Sequence, residues 1–175
     1  MVNYRRNRQI GGTYFFTVTL RNRQSNFLIT YINELRSALN YVKKKRPYLT
    51  KGFVILPEHL HMIWELPLGD SDYSTRWRQT KALFTRSLIK EGVILEKDAR
   101  GEYCLWQRRY WEHTIRNDKD FENHMNYIHY NPVKHKLVEN ADDWKFSSFH
   151  YYVEQGIITK DWGSNFKESG NEFGE

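Results

Sequence analysis

Cysteine occurs once in the 175 residues, at Cys104. One thiol closes no internal disulfide and supplies no thiolate pair for a structural zinc site, which fits a reducing compartment, the cytoplasm. Long apolar runs are missing too. None approaches the ~18 residues that span a bilayer, and Met1-Val2-Asn3-Tyr4-Arg5-Arg6 leads into no signal-peptide stretch, so a soluble, unexported chain without membrane contact is expected. The seven histidines contain no His-Glu-x-x-His pattern, which argues against a zinc hydrolase. No internal repeat is visible. Proline is scarce, and Pro47, Pro57, Pro67 and Pro132 each fall at the end of a patterned segment. Acid is nearly absent from the first third: residues 1–52 hold eleven Lys or Arg against Glu34 alone, so the overall charge of +6 comes from that third.

What is present suffices for one ordinary core. With 39% hydrophobic and 16% aromatic residues, a single domain over residues 1–162 is expected, with 163–175 as a mobile tail. Gly11-Gly12 signals a turn into Thr13–Leu20, a strand rich in β-branched and aromatic residues. Leu28, Ile32, Leu35, Leu39 and Val42 recur at spacings of three and four and predict an amphipathic helix, closed by Pro47. Leu49–Leu56 and Leu60–Leu66 read as a hairpin joined through Pro57-Glu58. Trp77, Thr80, Phe84 and Leu88 mark a second helix ending near Gly92, and residues 92–105 an exposed connection. Tyr110–Ile115 is a fourth strand. Asn117-Asp118 caps a third helix reaching about Tyr130, with Pro132 as its boundary. A β-α-β-β-α-β order predicts an α+β fold: a ferredoxin-like antiparallel sheet with helices on one face, plus an added C-terminal helix.

Two segments offer chemistry. In a strand, His59 and His61 share one face while Leu60, Met62 and Trp64 take the other. Two imidazoles converging from one strand can share a divalent ion, with Glu58 or Glu65 as support through the second ring nitrogen or as a ligand. On the third helix, Tyr127 and Asn131 lie four residues apart on one stripe with His124, beside an apolar stripe of Phe121, Met125 and Ile128 that suits core packing. Alone, each pattern also fits structural histidines and a core tyrosine.

Taken with Gly11-Gly12-Thr13-Tyr14-Phe15-Phe16-Thr17-Val18, Leu56-Pro57-Glu58-His59-Leu60-His61, Trp106-Gln107-Arg108-Arg109-Tyr110-Trp111-Glu112-His113 and Tyr127-Ile128-His129-Tyr130-Asn131-Pro132-Val133-Lys134-His135, the chain resembles the REP-associated tyrosine transposases, single-tyrosine members of the HUH class. The resemblance implies a DNA-nicking and joining enzyme. It makes Tyr127 the nucleophile, His59 and His61 the metal-binding pair and Asn131 the third, carboxamide ligand. It also implies Mg2+ or Mn2+ as cofactor, a 5′-phosphotyrosine intermediate, single-stranded or hairpin DNA of REP type as partner, and a monomer, with a dimer as the alternative.

The basic third supplies candidate DNA contacts: Tyr4, Arg5, Arg6, Arg8, Arg21 and Arg23, joined later in the chain by Arg76, Trp77, Arg78, Arg108, Arg109 and Lys134. Cations bind phosphates and rings stack on splayed bases. Two competing readings fit the same pattern. One is a non-enzymatic RRM-like nucleic-acid-binding module, the other an HUH replication initiator.

Overall fold

The computed structural model describes residues 8–163. Tyr4, Arg5 and Arg6, and all but the first residue of the expected tail, lie outside the described residues. Chain order is β1 (Thr13–Thr19), α1 (Phe27–Thr30), α2 (Ile32–Lys45), β2 (Leu49–Ile55), β3 (His59–Glu65), α3 (Tyr73–Lys90), β4 (Trp111–Thr114), α4 (Asp118–Lys134), a 3-10 turn (Ala141–Asp143) and α5 (Phe149–Glu154). The strands form one antiparallel sheet in the order β2-β3-β1-β4. This is the expected ferredoxin-like arrangement.

Strand alternation divides the interior into two cores. Tyr14, Phe16 and Val18 of β1 and Leu60, Met62 and Trp64 of β3 face α2 and α3, where Trp64 stacks on Trp77 with ring centres 4.2 Å apart. Phe15, Val54 and Ile63 face the other way, toward Met125, Tyr127 and Ile128 of α4. Helices therefore cover both faces, which is why β1 is buried along nearly its whole length. The free edge of β2 is covered as well. Ile55 N–H donates to the Phe146 carbonyl, Ser148 N–H to that of Phe53, and Val54 bridges Ser147. Pairing with 146–148 removes an exposed strand edge.

Two helix expectations need correction. The first helix is split at Tyr31, whose φ of −110° and ψ of 43° are not helical. Apolar spacing runs on across the break, so the sequence pattern conceals it. The last helix does not stop at Tyr130 but continues through Pro132 to Lys134. Proline's fixed φ is helical, and its ring forfeits the bond to the Ile128 carbonyl and crowds it, but the ladder resumes beyond it, where His135 N–H reaches the Asn131 carbonyl. What stops the helix is Lys136, just past the C-cap His135, in the left-handed region at φ 57°. There Leu137 N–H donates to the Pro132 carbonyl and Lys136 N–H to that of Val133, the paired bonds of a Schellman stop. The N-terminal cap is as expected, with Asn117 accepting from Asp120 N–H. Residues 92–103 form an exposed connection with one bridge, Lys97 to Tyr103. No described helix is long and apolar enough to cross a membrane.

Candidate active site

His59 and His61 lie at the start of β3 on the face beneath α4, both fully buried. Glu58 accepts from His59 Nδ1–H at 2.8 Å, which fixes the tautomer so that Nε2 carries a lone pair. Arg23 stands 3.5 Å from the same carboxylate oxygen. Burial pushes the Glu58 carboxyl up, but the His59 hydrogen bond and the Arg23 guanidinium hold it below the ordinary carboxylate value. Glu65, the other candidate support, pairs with Lys51 at 3.0 Å. His61 Nδ1 lies 2.9 Å from the Thr17 hydroxyl, directly across the β1–β3 ladder. With Nδ1–H donating to Thr17, His61 also turns Nε2 outward. Thr17 was not foreseen, because a strand's alternation is legible in sequence but its register against a partner is not.

α4 lays the second half of the site over this pair. Met125 and Ile128 seat the helix on the sheet, and Gly52 lets it approach closely: a Cβ there would collide with the Met125 sulfur. The buried Tyr127 ring then stands edge-on to His61, centres 5.1 Å apart. Lys134, two turns later, places Nζ 4.8 Å from the Tyr127 ring centre and donates to its hydroxyl at 3.4 Å. Asn131, between them, is fully buried. His135, unassigned from sequence, brings its ring within 5.0 Å of His59. Tyr130 instead lines a crevice with Val133, Ala141 and Trp162.

A second cluster lies beyond the Phe15 ring, which is 5.4 Å from His61 on one side and 4.8 Å from His124 on the other. Asp120 sits 2.8 Å from His113 Nε2 and 3.1 Å from His124 Nδ1. Among the described residues, this trio brings its ligand atoms within 4.8 Å of one another, a spacing at which a divalent metal can be shared. Burial raises the Asp120 carboxyl, yet bonds from His113 and the Arg116 amide hold it below its ordinary value. Burial likewise holds the His124 imidazole low. Spacing along the chain did not mark this trio, which joins β4 to the first two turns of α4.

No family model matches the chain. A REP-associated tyrosine transposase of Escherichia coli is 47% identical over 165 residues, covering 94% of this chain and 93% of its own length. A Haemophilus influenzae protein provisionally described as a REP-associated tyrosine transposase is 47% identical over 167 residues, covering 94% of this chain and 95% of its own. A solved structure of a REP-associated tyrosine transposase bound to a REP hairpin matches with a TM-score of 0.88 at 44% identity, covering 100% of this chain and 98% of that one.

The chain belongs to the REP-associated tyrosine transposases.

The transposase does not expose every residue expected to touch DNA. Arg76 is buried, and its guanidinium donates to the carbonyls of Arg46, Pro47 and Asp72 and to the Asp70 carboxylate, at 2.6 to 3.1 Å. Trp77 is buried against Trp64 and Phe16. Both hold α3 to the fold, and neither presents a surface to a nucleic acid. The amphipathic stripe already pointed inward at Trp77, and Arg76 follows it because a ring of carbonyls satisfies the buried charge. Arg8, Arg21, Arg78, Arg108 and Arg109 are exposed. Arg23 reaches the active site from outside through Glu58, and Lys134 lies within it.

Proposed function

We propose that the transposase cleaves and rejoins single-stranded DNA at REP-type hairpins, with Tyr127 as the nucleophile. The observation that carries this reading is the Tyr127 side chain, its ring held beside His61 and its hydroxyl 3.4 Å from the Lys134 ammonium. In the forward step the Tyr127 oxygen bonds to phosphorus and the bond from phosphorus to the 3′ oxygen breaks. The phenol proton passes to solvent and the departing 3′ oxygen takes one up. A 5′-phosphotyrosine and a free 3′-hydroxyl result, and attack by a 3′-hydroxyl reverses the step without ATP. Lys134 favours attack by stabilising negative charge at the phenol oxygen and on the phosphate approaching it. The hairpin in the similar solved complex supports the same class of partner here. Tyr127 stands beside His61 of its own chain, which supports attack in cis, as a monomer would perform it.

His59, His61 and Asn131 fit a divalent cation. Each imidazole has its Nδ1 engaged by Glu58 or Thr17, so Nε2 is the atom that would ligate, and the buried Asn131 carboxamide would add an oxygen. Such a mixed set suits Mn2+ or Mg2+. When bound, the cation supplies Lewis-acid polarisation of a non-bridging phosphate oxygen. The test is cleavage of an end-labelled hairpin oligonucleotide with unpaired flanks, after chelator treatment and after Mn2+ or Mg2+ is restored. Restored cleavage by the parent, its loss in His59→Ala and His61→Ala, and a milder defect in Asn131→Ala are expected. Full activity of both histidine variants removes this cation site.

A further inference from the structure

An open groove of about 710 Å³ lies between α3 and the 102–110 segment, against the sheet face opposite Tyr127. Arg78, Lys81, Arg86 and Arg108 line it against one carboxylate, Glu102. Trp106, Tyr110 and the exposed Tyr103 supply rings. Lys81 Nζ is 5.6 Å from the Trp106 ring centre and 5.4 Å from that of Tyr110, held there by the Gln107 carbonyl at 3.0 Å. Cations set among aromatic faces form the pattern that takes phosphate and base together.

The groove also connects to the active site. Trp106 bridges Leu20, and Gln107 N–H donates to the carbonyl of Thr19, which pairs with His59. Five residues on, Trp111 pairs with Thr17, the residue that holds His61. Segment 106–111 thus runs along the sheet edge from the groove to the histidine face, ~10 Å for the three steps of β1 between Leu20 and Thr17 at strand rise, with Arg108 and Arg109 exposed along it.

We propose that this groove holds an unpaired stretch of the same DNA strand whose phosphate Tyr127 attacks, a proposal that rests on the DNA-cleaving reading above. Charge selects a phosphodiester backbone. The rings select unpaired bases, because bases in a duplex already stack on their neighbours and offer no free face.

The test compares a blunt hairpin oligonucleotide with the same hairpin carrying unpaired flanks, both bound to the full-length protein. Arg78→Ala/Lys81→Ala/Arg108→Ala should bind the flanked probe at least ~10-fold more weakly and lower its salt slope by about 2, as three lost single-strand phosphate contacts require. Its affinity for the blunt probe should match the parent's. Independently of that variant, 5-iodouracil placed along the flanks of the probe should cross-link to residues 103–110 in Tyr127→Phe protein, where no phosphotyrosine can form at that position. Unchanged affinity for the flanked probe, an equal loss for both probes, or flank cross-links confined to other segments overturns the proposal. If the parent's covalent adduct maps to another tyrosine while flanks cross-link at 103–110, the catalytic assignment fails and the groove stands.

Discussion

At the scale of single residues, burial separates side chains that build the site from those that build the fold. Arg76-Trp77-Arg78 mixes charge with a ring, as a DNA contact does, yet only Arg78 of the three is exposed. Arg76→Ala should therefore destabilise the protein by about 3 kcal/mol, since Asp70 and three carbonyls lose a buried partner, whereas Arg78→Ala should stay within about 0.5 kcal/mol. Urea unfolding measures both, and equal stabilities would contradict the assignment. The support of His59 and His61 gives a second expectation. Glu58→Gln should weaken Mn2+ binding by ~10–100-fold through loss of ligand orientation, while His113→Ala should leave that binding near the parent value. If Mn2+ titration followed by electron paramagnetic resonance gives the reverse order, the ion belongs to the His113, Asp120 and His124 cluster. His59 and His61 were legible because strand alternation fixes their common face. Thr17, His135 and the second cluster were not, because each depends on which elements meet.

At the scale of elements, α4 decides whether Tyr127 is in place. Its apolar stripe of Met125 and Ile128 was readable by helical period, and so was the Asn117 cap. Its true end was not, because Pro132 signals a boundary in sequence, whereas the stop is set by the backbone bonds that Lys136 and Leu137 make to Val133 and Pro132. Lys136 holds the stop at φ 57°, a conformation that costs a side-chain-bearing residue about 1 kcal/mol. Lys136→Gly should raise stability by about that amount, and a fall in the urea midpoint would refute the Schellman reading. Gly52 marks the other constraint on α4. Gly52→Ala should cost about 1 kcal/mol by displacing Met125, and Met125→Ala in the same chain should remove most of that cost. Additive effects of the two changes would mean that they do not meet.

For the whole molecule, the sheet positions the chemistry on one face, while α2 and α3 close the other. An RRM-like module needs an open sheet face with aromatics for bases to stack on, and here Phe15 and Phe16 are both buried. Acid should loosen this assembly partly through Asp70, whose carboxyl the Arg76 hydrogen bond holds below its ordinary 3.8. The unfolded chain then takes up that proton first as pH falls, so the stabilisation is complete above about pH 4 and is lost as pH drops through the lower folded value. Asp70→Asn should flatten that acid limb of stability, and an unchanged limb would place the coupling elsewhere. The most direct test of function is to trap the covalent complex of the full-length protein with a flanked hairpin and map the DNA-linked peptide by mass spectrometry. The linkage is expected at Tyr127 and absent from Tyr127→Phe, which should still bind the hairpin. A linkage at Tyr130 or any other residue, or a Tyr127→Phe protein that still forms the adduct, would contradict it.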